Sequence, residues 1–140
     1  MAKRGVPLDR ILRVRTLQLG LVRAEEARAI EQVASETALQ NRIAQLSAEI
    51  APTASAAEAF SFIAAAHFRD RLNQSAAAAD ARVAAATTRL DRASEATRDA
   101  RRDQSAVEKL IAREDAAAAI RAVREMEKAP PLRKVRHDPC

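Results

Sequence analysis

Residues 72–97 read LNQSAAAADARVAAATTRLDRASEAT, and ten of these 26 residues are alanine. None of them breaks a helix. Apolar residues recur in alternating steps of four and three at Leu72, Ala76, Ala79, Val83, Ala86, Leu90 and Ala93. That is the repeat of a coiled-coil seam, narrower than the apolar stripe of a globular helix. A long helix with a seam made mostly of single methyl groups suits a slender rod. Side chains at a helix contact set the interaxial distance, and alanine lets two helices approach closely. The same seam is weak, since a buried leucine is worth about 2–5 kcal/mol more than an alanine.

The repeat continues through Thr97, Ala100, Gln104, Val107, Ile111, Glu114 and Ala118, with Thr97, Gln104 and Glu114 as faults. Its flanks carry charge of mixed sign, and Glu95–Arg98 and Asp99–Arg102 are spaced as intrahelical pairs. The rest of the 140-residue chain agrees with a helical reading. Alanine occurs 35 times, phenylalanine three times, and tryptophan and tyrosine not at all. Prolines are confined to Pro7, Pro52, Pro130, Pro131 and Pro139, and Gly20 is the one glycine between Pro7 and Pro52. Such a composition can build long helices but neither a sheet nor a compact core.

Pro7 suits the start of a first helix. Its apolar stripe runs through Leu8, Leu12, Leu19, Val22, Ala29, Val33, Ile43 and Ile50, with faults at Arg15, Glu26 and Glu36. Past Val33 the next leucines, Leu39 and Leu46, imply a one-residue shift of phase. Pro52 ends this helix, because the residue before a proline is pushed out of helical geometry. Ser55 and Glu58 form a capping box that starts the next one. A connection of about four residues favours an antiparallel hairpin.

The expected fold is therefore all-α, a long two-helix antiparallel coiled-coil hairpin with unequal helices. A basic arm spans 1–6, helix 1 about 7–51, the turn 52–55, helix 2 about 56–128, and a flexible basic tail 129–140. Folding back at residue 53 sets Leu8 near residue 98. Residues 99–128, with Val107, Leu110 and Ile111, then overhang with an apolar stripe in need of a partner.

Net charge is +5, with +4 in residues 1–15 and +2 in residues 129–140, so the shaft is nearly neutral. A nucleic-acid groove would gather basic residues on one face with stacking aromatics, and the shaft has neither. His67 and His137 stand alone, and Cys140 is the single cysteine. No metal, cofactor or small-molecule site is expected, and no catalysis. The opening residues lack the apolar core of a signal peptide, and no run is long enough to span a membrane, so the expected location is cytoplasmic. Phe60, Phe62 and Phe68 fall within nine residues. Phe60 and Phe62 point to different helix faces. They either close the hairpin end on Ile43, Leu46 and Ile50 or form an exposed patch.

The segment LDRILRVRTLQLGLVRAEEARA, with Leu8, Leu12 and Leu17 followed by Glu25, Glu26 and Ala29, precedes a single break and an Arg-, Ala- and Glu-rich second helix. This layout, over about residues 5–128, resembles the FliJ-type stalk proteins of the bacterial flagellar type III export apparatus. The resemblance implies a hairpin similar to the stalk of rotary ATP synthases. One end of it would insert in the ring of the export ATPase. Contacts with the ATPase regulator, the membrane export gate and export chaperones would complete its partners, and any membrane association would run through them. On this reading Arg10, Arg13 and Arg15, with Val107, Leu110 and Ile111, engage the ATPase. Leu39, Ile43, Leu46, Phe60, Phe62, Phe68 and Leu72, toward the turn, engage the gate or a chaperone. A self-assembling coiled-coil scaffold is the alternative, and a nucleic-acid-binding hairpin the third.

Overall fold

A computed structural model of the protein describes residues 6–49 and 59–130. Two helices make up the described chain, α1 over Val6–Glu49 and α2 over Ala59–Lys128. At 1.5 Å per residue, their 44 and 70 residues give lengths of about 66 and 105 Å. Pro7 lies in the first turn of α1, where its missing N–H leaves no bond unmade, and Asp9 complements the helix dipole there. The α1 helix runs unbroken through Gly20. At the other terminus of the pair, Ala129 N–H donates to the Met126 carbonyl at 3.2 Å and Pro130 follows. Lys128 adds a favourable charge to that last turn. The expected turn 52–55 and the capping residues Ser55 and Glu58 lie outside the described residues, as do the arm 1–5 and the tail from residue 131.

Cross-helix contacts pair rising numbers on α1 with falling numbers on α2. Thr16 meets Gln104, Val22 meets Thr97, Gln32 meets Arg89 and Gln40 meets Asp80. The helices are therefore antiparallel. On α1 the buried and half-buried positions include 8, 12, 15, 19, 22, 26, 29, 33, 36, 40, 43 and 47. On α2 they include 72, 76, 79, 83, 86, 90, 93, 97, 100, 104, 107 and 111. Both series step by four and three. At the register of Val22 and Thr97, every α1 position in the series falls level with one in the α2 series.

That register explains the alanines. Leu19 lies level with Ala100, Ala29 with Leu90, Val33 with Ala86 and Ile43 with Ala76. Each of these layers sets one large side chain against a methyl group. Ala79 and Ala86 are 2% exposed and Leu19 is 4% exposed. With Val107 they are the only buried residues among those described.

Two expectations are corrected. The α1 stripe has no phase shift. After Val33 the seam continues at Gln40 and Ser47, while Leu39 and Leu46 are exposed beside it. Gln40 donates to the Asp80 carboxylate at 2.6 Å, and the Ser47 hydroxyl donates to the Ile43 carbonyl at 3.0 Å, so both polar side chains are satisfied there. The overhang is also shorter than expected. Leu8 lies level with Ile111 rather than with residue 98. Residues 114–128 then extend past the start of α1 by about 22 Å. Registration of the two seams, not the shortest route around Pro52, fixes how far the helices slide.

Candidate functional site

A rod of two helices offers surfaces rather than a cleft, and the expected partner residues fall into three environments. Arg10 and Arg13 are exposed on α1. Arg15 is not free. Its guanidinium pairs with the Asp103 carboxylate of α2 at 3.0 Å and donates to the Gln18 side-chain oxygen at 3.1 Å. Val107 is buried and Ile111 half-buried, both in the part of the seam that α1 covers. Their placement on an uncovered overhang is thus overturned by the register. Of that group only Leu110 is an exposed apolar residue.

Toward the other end, Ile43 and Leu72 are half-buried in the seam and hold the hairpin together. Leu39 and Leu46 are exposed on α1, and Phe62, Ile63 and Phe68 are exposed on α2. The Phe60 side chain and Ile50 lie outside the described residues. Phe62 and Phe68 present 64% and 50% of their surface, so neither is absorbed into the seam.

Polar groups cluster where the two helices carry their faults together. Arg15 of α1 and Gln104 of α2 share one layer. Gln104 donates to the Thr16 hydroxyl at 3.3 Å beside the Arg15–Asp103 pair. Half a rod-length away from the turn, a groove lined by Arg23, Glu26, Ser94, Thr97, Arg98 and Arg101 is predominantly cationic. Asp99 and Arg102 pair along α2 as their spacing suggests, whereas Glu95 and Arg98 do not.

Sequence reasoning missed one apolar surface. Val14, Leu17 and Leu21 are exposed on α1 with Ile11 beside them. A shallow groove along its edge is lined by Arg10, Ile11, Val14, Arg15 and Gln18. The signal was present in the repeat: these leucines and this valine occupy positions that a seam through Leu12, Leu19 and Val22 turns to solvent. On α2 past the end of α1, Ile120, Val123 and Met126 are exposed as well.

Among the described residues no three His, Cys, Asp or Glu side chains gather as metal ligands, and no helix is long and apolar enough to cross a membrane. His67 lies on the exposed side of α2. No known family model, curated protein or solved structure matches the chain.

Proposed function

We propose that this chain is a non-enzymatic stalk and adaptor of a flagellar type III export apparatus, located at the cytoplasmic face of the inner membrane through its partners. The observation that carries the reading is the slender seam, in which Ala79 and Ala86 are only 2% exposed and set the two helices close together. A thin rod suits insertion in the pore of a ring. Its two ends offer different surfaces. One bears Arg10 and Arg13 on α1 with Leu110 on α2, suited to the export ATPase. The other bears Leu39, Leu46, Phe62 and Phe68, suited to the export gate or a chaperone.

The test is the activity of an export ATPase titrated with the purified chain. Saturable stimulation is expected, and charge reversal at Arg10 and Arg13 should lower it. An unaffected ATPase, from a sample that circular dichroism shows to be helical, sinks the reading. A self-assembling scaffold is the second reading, favoured by the exposed Ile120, Val123 and Met126 on the length of α2 that α1 leaves uncovered. It predicts concentration-dependent association in light scattering.

A further inference from the structure

The seam of α1 turns Arg10, Arg13, Val14, Leu17, Gly20, Leu21, Ala24, Ala27 and Arg28 away from α2, and all nine are exposed. At the same level α2 turns outward Asp91, Arg92, Glu95, Arg98, Asp99 and Arg102, a mixed set of charges with no large apolar side chain. The α1 face is different in kind. Leu17 and Leu21 are 70% and 68% exposed, Val14 stands between them and Arg10 and Arg13, and the one acid that borders this face between Arg10 and Arg28 is Glu25, at its edge beside Leu21 and Arg28. Contiguous apolar surface of this sort, rimmed by charge, marks an interaction site.

Gly20 is a second, independent observation. Glycine weakens a helix interior relative to alanine, and this chain uses alanine at 35 positions. Nothing lies within 4 Å of where a Cβ on Gly20 would sit. The hairpin itself has no need of a glycine there. A helix laid across α1 could approach more closely at Gly20 than at any residue with a side chain.

Charge then selects the occupant. Among the described residues, Arg10, Arg13 and Arg28 form no ion pair. A second copy of this face laid parallel would set each arginine against its own twin, and one laid antiparallel about Gly20 would bring Arg28 beside Arg13. We propose that the outer face of α1, from Arg10 to Arg28, docks an acidic amphipathic helix of a partner protein, closest at Gly20 and seated on Val14, Leu17 and Leu21. The inference goes beyond the export reading and does not rest on it.

The test uses the full chain and a synthetic amphipathic helix with leucines at alternating steps of three and four and glutamates elsewhere. A twin peptide carries lysines in place of the glutamates. The glutamate peptide should bind saturably, one per chain, at least about tenfold more tightly than its twin, with an affinity that falls as salt rises. Leu17→Gln with Leu21→Gln should lower that affinity about tenfold or more while leaving helicity and melting intact, since both side chains are exposed. Gly20→Ala should raise the melting temperature and yet weaken binding, two effects of opposite sign. Equal binding of both peptides overturns the proposal, as does indifference to the leucine pair or a Gly20→Ala variant that binds as well as the parent. Self-association of the free chain that Leu17→Gln and Leu21→Gln abolish would assign the face to a second copy. Binding to anionic phospholipid vesicles, abolished by the same pair with no peptide binding, would assign it to a membrane surface.

Discussion

The guanidinium of Arg15 on α1 lies 3.0 Å from the carboxylate of Asp103 on α2, in the layer where Gln104 also replaces an apolar seam residue. A polar interruption on one helix thus meets a polar interruption on the other. Register follows from this match, because sliding either helix by one heptad would set Arg15 against Thr97 or Ile111 and separate it from Asp103. Polar layers commonly specify alignment at some loss of stability.

The pair should matter more for alignment than for stability. Its side chains are 41% and 53% exposed, so the coupling measured by a double-mutant cycle of Arg15→Ala and Asp103→Ala should be about 0.2–1 kcal/mol and shrink in high salt. Replacing Arg15 and Gln104 together by leucine should raise the melting temperature. It should also loosen the register, seen as a second set of cross-links between the helices. A coupling well above that range would mean that the pair supports the rod in its own right.

Alanine in the seam makes the opposite prediction from leucine. Ala86 is 2% exposed and level with Val33, so Ala86→Leu has no room and must separate the helices. Overpacking of this kind typically costs about 1–3 kcal/mol. Added apolar surface would instead stabilise a loosely packed seam. Denaturant unfolding followed by circular dichroism distinguishes the two, with a lower midpoint expected for Ala86→Leu and little change for Ala85→Leu, which is exposed.

The α2 seam was legible because its steps of four and three never falter between Leu72 and Ile111. The α1 seam was legible as far as Val33. Beyond it, hydrophobicity favoured Leu39 and Leu46, whereas the structure seats Gln40 and Ser47 in the seam. In a two-helix rod a residue one step off the seam still keeps part of its surface covered, and a short polar residue can bond Asp80 or its own helix. Ranking residues by hydrophobicity alone cannot see either effect. The length of the overhang was misjudged because the turn was taken to set it. Matching the faults Arg15 and Gln104 would have set the register from the sequence. The outer apolar face went unnoticed because only the seam positions of α1 were followed, and Leu17 and Leu21 lie off the seam.

Engineered cysteines test the register directly. In a Cys140→Ser background, Val33→Cys with Ala86→Cys places two thiols in one layer of the tightest part of the seam. Oxidation should close an intramolecular disulfide, which needs Cα atoms within about 7 Å. Val33→Cys with Asn73→Cys, the pair that a fold-back at residue 53 would bring level, should stay open. Gel mobility under non-reducing conditions and thiol titration read both. A bridge in the second pair and none in the first would restore the longer overhang.

Truncation of individual leucines tests which ones hold the helices together. Leu19 is 4% exposed and faces Ala100, so Leu19→Ala removes a side chain from a layer whose other member is already a methyl group. The loss should be about 2–4 kcal/mol, a large share of the stability of a rod with four buried residues among those described. Leu46 is exposed beside the seam, and Leu46→Ala should change stability by less than about 0.5 kcal/mol. Equilibrium unfolding in urea measures both, and the slope should stay constant if the surface exposed on unfolding is unchanged. Comparable losses at the two positions would mean that the seam does shift phase after Val33. Near-equality produced by a small Leu19 effect would instead mean that the rod owes its order to helix propensity. On that outcome the alanine layers would contribute slenderness but little cohesion, and the hairpin would depend on its partners to stay closed.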